Sequence, residues 1–295
     1  MKSTLLLITV FRNAFAFNML SFKTLTSNER KFSCLEMSLC PCEKTKSALK
    51  KMRGVSVSVE FQADAKLSSM DFEILSQGLR KSKVASIWTS DLDAVAMFSK
   101  EQETSRGNFP GPCPIIYNGA SFENAVKNGA TAIVLNAESF EPSDVDLPYE
   151  SDVIFSVKTV NEARKIAQTY EGAGFLIPAD LDFDTINDIL AIIPQNSLVI
   201  AALSAMQSKN SEISLGKELS LIKSKETGSV INSFLFERAC IGDAEDLKYS
   251  NFVVESITKK SSSQFKMTGL TGSTNGHFGT SDESPEDAKW RRMSS

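Results

Sequence analysis

Two ionisable side chains stand where apolar runs stop. Glu60 lies at the end of VSVSVEF (55–61), and Lys158 follows VIFSV (153–157). A carboxylate and an ammonium set across a cleft form a general acid–base couple when their surroundings tune their pKa values apart. The same two groups in simple contact are a salt bridge, and the sequence leaves both readings open. The chain has one histidine, His277, and it lies beyond the regular part of the sequence. That region therefore cannot assemble a Ser–His–Asp triad or a histidine-based metal centre. Five cysteines (Cys34, Cys40, Cys42, Cys113 and Cys240) are odd in number and scattered. Cys40-Pro41-Cys42 offers half of a metal site, but no second Cys/His pair answers it at ligand spacing. No metal and no cofactor is expected. Cys113 and Cys240, the two in the body of the chain, make no disulfide framework and point to a reducing compartment.

The elements that position such groups repeat along residues 54–260. Eight short apolar or β-branched runs occur: VSVSVEF (55–61), KVASIWTS (83–90), CPIIYNG (113–119), TAIVLNA (131–137), VIFSV (153–157), GFLIPA (174–179), SLVIAAL (197–203) and INSFLFE (231–237). Near-continuous rather than alternating apolarity reads as strands covered on both faces, the mark of a parallel sheet. Amphipathic helical patterns lie between them, in LDAVAMFSKEQ, VNEARKIAQTY, FDTINDILAII, LGKELSLIKS and LKYSNFVVESITKK. Asp91 and Thr159 stand where N-caps belong, and Gly129 and Gly172 sit just past helix ends. One connection, ESFEPSDVDLPYESD, carries Pro142 and Pro148 and predicts an irregular crossover rather than a helix. Eight alternations over about 200 residues close a (β/α)8 barrel. The rival, an open doubly wound sheet, more often carries a glycine-rich phosphate loop after its first strand, and VEFQADAKLSSMD has none.

The two ends of the chain read differently. Lys2, the apolar run Leu5–Phe11 and Ala14-Phe15-Ala16 have the three-part build of a secretory signal over residues 1–16. Residues 17–53 hold eight Lys/Arg against three acids, are rich in Ser and Thr, and show no sustained apolar period, as in a transit peptide. The pair, joined at AFAF with Phe15 or Phe17 at the junction, resembles the bipartite presequences of algae with secondary, red-lineage plastids such as diatoms. That resemblance implies delivery to the plastid stroma. An ordinary secreted protein with a basic pro-segment is the other reading. The chain has 32 basic and 36 acidic residues. Beyond residue 53 the balance is 22 to 33, net −11, which argues against a nucleic-acid-binding face. No later run reaches the ~18 apolar residues of a spanning helix. Residues 261–295 are Ser/Gly/Thr-rich and aperiodic. They read as a flexible tail, or as a segment docking a partner protein through Phe265, Leu270, Phe278 and Trp290.

In a barrel the chemistry sits at the carboxyl ends of the strands. GASFENAVKNGATAIVLNAESF and VIFSVKTVNEARKIAQTYEGAGFLIPAD, in which a helix of the form x-x-E-A-x-x-x-G-A leads into an apolar strand, resemble indole-3-glycerol-phosphate synthase over roughly residues 55–245. That family closes a pyrrole ring on a phosphorylated sugar derivative, with loss of CO₂ and water, in tryptophan synthesis. The resemblance thus implies a lyase and a plastid pathway. The family's E-x-K becomes Glu60-Phe61-Gln62, which keeps the acid and loses the lysine. Its K-D-F becomes Tyr117-Asn118-Gly119, and its E-V-H becomes Ser156-Val157-Lys158. N-N-R is replaced by Pro178-Ala179-Asp180, E-S-G by Ala202-Leu203-Ser204, and the phosphate-gripping G-E-S by Glu237-Arg238-Ala239.

These substitutions remove the proton donor and acceptor that ring closure needs, and Glu237 points a carboxylate where a phosphate dianion would sit. Glu60 and Lys158 are the catalytic candidates that remain. Gln62, Asn118, Ser204 and Arg238 are the candidate contacts to a phosphorylated small molecule. The expectation is a non-catalytic descendant serving as a binding or assembly subunit, with a divergent synthase or related phosphosugar lyase or isomerase as the alternative. Trp88 reads as core, or as a stacking platform at the mouth. GNFPGPCP (107–114) reads as a rigid turn on the amino-end face, or as a partner-binding loop.

Overall fold

The computed structural model describes residues 38–39, 42–51, 54–62, 68–140, 151–204 and 211–258. Eight parallel strands run in chain order: β1 (Ser56–Phe61), β2 (Ile87–Thr89), β3 (Ile115–Tyr117), β4 (Ala132–Asn136), β5 (Asp152–Ser156), β6 (Gly174–Pro178), β7 (Leu198–Leu203) and β8 (Ser233–Cys240). Each pairs with the next, and β8 pairs with both β7 and β1, so the sheet closes into a barrel. The expected (β/α)8 fold is the fold observed. Eight helices accompany the strands among the described residues: α1 (Glu43–Leu49), α2 (Ser69–Lys81), α3 (Leu92–Thr104), α4 (Phe122–Lys127), α5 (Val160–Thr169), α6 (Phe183–Ile192), α7 (Ser211–Leu219) and α8 (Asp246–Thr258). Ser38–Leu39 adds a short parallel pairing with Tyr170–Glu171.

The strands are buried on both faces, in two separate cores. The larger core gathers outward-facing strand residues such as Val59, Ile133 and Phe155 with helix residues such as Leu75, Phe98, Ile166 and Val253. Two aromatic groups organise it. Phe61, Phe72 and Phe98 stand with ring centroids 5.2–5.3 Å apart and knit β1, α2 and α3 together, while Phe155 stacks on Tyr170 at 5.4 Å. The smaller core fills the barrel itself, with Trp88, Ile116, Ile154, Ile200 and Leu235 meeting Cys42 and Leu49 from the start of the described chain. Area burial of this kind supplies most of the driving force for closure.

Helix boundaries follow local chemistry. Ser68 and Asp71 form a reciprocal capping box on α2; Asp91 caps α3, Thr159 caps α5 and Asp182 caps α6, each by accepting a backbone N–H. Gly129 (φ +97°) and Gly172 (φ +82°) take the left-handed conformation after α4 and α5, as their positions predict. No helix forms over residues 137–140 after β4, in keeping with the expected irregular crossover, and residues 141–150 lie outside the described set. The expected signal segment 1–16 and the tail 261–295 also lie outside it, so nothing structural bears on Phe265, Leu270, Phe278 or Trp290.

Candidate functional site: the carboxyl-end rim of the barrel

Inward positions alternate along each strand. On β1 they are Ser56, Ser58 and Glu60, so the polar face of VSVSVEF looks into the barrel and its valines pack outward. The two serines are fully buried, and the Ser86 hydroxyl donates to Ser58 Oγ at 2.7 Å. Trp88 Nε1 donates to Ser86 Oγ at 2.9 Å, and Ser58 and Ser233 hydroxyls lie 3.3 Å apart. The indole is thereby satisfied and wholly buried, opposite Glu60 in the β1–β2 ladder. Trp88 is core, packed inside the barrel beneath the rim, and offers no stacking face to solvent.

Above it the rim is built around a carboxylate. Glu60 Oε1 accepts from Asn118 Nδ2 at 2.8 Å, and Oε2 accepts from the backbone N–H of Arg238 at 3.1 Å. The second bond exists because β8 breaks register between Phe236 and Cys240. The bulge places Arg238 at φ +51°, a conformation that costs a side-chain-bearing residue of order 1 kcal/mol, and turns its N–H toward β1. Next to it, the Ser204 hydroxyl donates to Glu237 Oε2 across from β7. Burial pushes the Glu237 carboxyl above its ordinary range. The Ser204 bond opposes that, and the neighbouring charges of Glu60 and Asp180 add to it.

Of the six residues singled out by sequence, Glu60, Asn118 and Arg238 are brought together, Arg238 through its backbone. Ser204 joins the rim through Glu237. Gln62 continues β1 as an exposed residue whose backbone N–H donates to Cys240 O at 2.9 Å. Lys158 is exposed at the entrance to α5, where its backbone N–H donates to Glu162 Oε2 at 2.7 Å. No ion pair joins Lys158 to Glu60 among the described residues, so the simple salt bridge is not formed. In the sequence, Glu237 stands out only as a carboxylate in the place of a phosphate grip. Its position at the end of INSFLFE was the available signal for a rim role.

The opposite end differs in kind. A cavity of about 370 Å³ opens beside α1 and α3, lined by Lys44, Gln102, Arg106, Cys113 and Thr131 among others. Burial pushes the Cys113 thiol up to about 12, which disfavours its thiolate. The turn 107–114 lies on this amino-end side, as expected. Arg80, ion-paired with Glu101, donates from Nη1 to Pro110 O at 2.6 Å and fixes the turn, leaving Phe109 95 % exposed. Among the described residues no group of three or more His, Cys, Asp or Glu is arranged to hold a metal ion, and no helix is long and apolar enough to cross a membrane.

Fold and rim together define a (β/α)8 barrel with a carboxylate-centred mouth. No protein-family model matches the chain, and no curated protein matches it. Among solved structures it is similar to UMP synthase from Leishmania donovani, with 12 % identity, TM-score 0.49, and coverage of 68 % of this chain and 52 % of that one. An archaeal fructose 1,6-bisphosphate aldolase gives 14 % identity and TM-score 0.47, covering 73 % and 98 %. Orotidine 5'-phosphate decarboxylase from Pyrococcus horikoshii gives 10 % and 0.47, covering 68 % and 100 %. These are distant likenesses of barrel to barrel, and they identify no specific family.

Proposed function

We propose that this barrel is a non-catalytic relative of phosphosugar-converting barrels such as indole-3-glycerol-phosphate synthase, acting as a binding or assembly subunit in a plastid. The observation that carries the reading is the state of Glu60. It is the one acid kept from the family pattern, and both of its oxygens are engaged within the protein, by Asn118 and by the backbone of Arg238. Among the described residues no lysine is ion-paired with Glu60, and Lys158 is exposed at the entrance to α5. A second carboxylate, Glu237, occupies the place where a phosphate grip belongs, and a dianion seated there would meet it and Asp180. The tail at 261–295 is the proposed partner contact, and the bipartite leader supports the plastid address.

The test is complementation of a tryptophan auxotroph lacking the synthase. The expected result is no growth. Growth that vanishes with Glu60→Gln overturns the reading. The assembly role is tested by deleting 261–295 and following native size by gel filtration; an unchanged size counts against it.

One observation favours a second reading. Glu237, raised by burial, lies beside Glu60, which accepts two N–H donors, and two carboxyl groups in unequal surroundings can divide the roles of acid and base. A divergent phosphosugar lyase or isomerase built on Glu60 and Glu237 would lose turnover in both Glu60→Gln and Glu237→Gln.

A further inference from the structure

Residues 17–53 have the composition of an address, yet α1 is built into the barrel's amino end. Cys42, Thr45 and Leu49, spaced three and four residues apart, lie on one helical face and are exposed by only 2 %, 0 % and 0 %. Leu49 and Cys42 belong to the core inside the barrel, in company with Trp88 and Ile154. Each end of the helix is held by a barrel group. At its start, the backbone N–H of Thr45 donates to Asp152 Oδ2 at 2.5 Å, so an inward carboxylate of β5 meets the positive end of the helix. At its finish, the Ser56 hydroxyl of β1 donates to Leu49 O at 2.7 Å, and Lys50 Nζ donates to Gln195 O at 3.0 Å. Gly174 on β6 adds independent evidence. A Cβ there would lie 2.9 Å from Cys42 Sγ and 3.1 Å from Ile154 Cγ1, so the strand leaves room for this segment. A seven-residue helix has no stability of its own in water and depends on this packing.

We infer that α1 is the permanent floor of the barrel and that proteolytic removal of any leader stops before Cys42, leaving residues 42–51 in the mature protein. The inference rests on packing at the base and is independent of what the rim does. Cleavage at residue 53 would strip Leu49 and Cys42 from the interior core and leave Asp152 facing an open base.

Limited trypsin digestion of the full-length chain tests it, with fragments mapped by mass. Lys44, Lys46, Lys50, Lys51 and Arg53 all offer cleavage sites. The expected product is a resistant fragment that begins before Cys42. A resistant fragment beginning at Met52 or Gly54 overturns the inference, as does a mature N-terminus at or beyond Arg53 in protein isolated from its native cells. In the full-length chain, Leu49→Ala should lower the melting temperature by roughly 5–15 °C. The exposed Ser47→Ala should change it by no more than about 2 °C. Insoluble Leu49→Ala alongside soluble Ser47→Ala supports the floor, and equal melting of the two variants removes it.

Discussion

The two ends of this barrel solve opposite problems. At the amino end, inward polar groups are consumed by structure: Ser56 holds the end of α1, Ser58, Ser86 and Ser233 hold one another and Trp88, and Asp152 meets a helix start. At the carboxyl end, like charges gather. Glu60, Glu237 and Asp180 share the rim, and one of them is pushed away from its ionised form. The base therefore spends its inward polar groups on packing, while the rim gathers like charge. Barrels in general place conserved stability at the base and adaptable groups at the mouth. Here the described part of the mouth is centred on carboxylates.

That contrast can be broken or sharpened by substitution. The largest effect is expected at Trp88, the plug between the two ends. Trp88→Ala should cost about 3–5 kcal/mol in chemical denaturation, through lost burial and the cavity left behind. An unchanged midpoint would mean that the interior is not the continuous core described. Gly174→Val at the base should cost roughly 1–3 kcal/mol by driving a side chain into Cys42 and Ile154. A neutral result would show that the base yields more readily than its packing implies.

Effects at the rim should be smaller and should depend on pH. The folded-state pKa of Glu237 is raised, so the folded protein binds more protons than the unfolded chain between the ordinary glutamate range and the raised value. Stability contributed by this group is full below the ordinary range, is lost as pH rises through that window, and is flat above it. Glu237→Gln should abolish that loss, leaving the variant at least as stable as the parent at neutral pH. Melting curves across pH that are parallel for the two proteins would contradict it. Smallest of all, Glu60→Gln should draw the Glu237 titration back toward the ordinary range by removing a neighbouring charge. Carboxyl chemical shifts in NMR would follow it, and no movement would mean that the two groups do not sense each other.

Much of the fold was legible because a barrel strand is covered on both sides and so announces itself as a short apolar run. All eight runs became strands, with edges moved by a few residues, and the caps at Asp91 and Thr159 and the turn at Gly129 followed from residue type alone. Two helices escaped. α2 carries Phe72, Leu75 and Leu79 at helical spacing behind a Ser68–Asp71 capping box, a pattern open to view in the sequence. α1 was masked by its lysines, serines and threonines, which resemble an import signal when the three buried residues among them are not weighed. The rim was less legible for a physical reason. Which groups meet there depends on a register break in β8 that bends Arg238 backward and sets Glu237 beside Ser204, and local composition does not encode a break of that kind.

The indole of Trp88 has one more consequence. The chain contains two tryptophans, and the other, Trp290, lies outside the described residues. With its ring shut away from water and its N–H committed to a buried hydroxyl, Trp88 can trade that hydrogen for deuterium only when the strands part. A single slow resonance thus serves as a clock for whole-barrel opening, readable without any label.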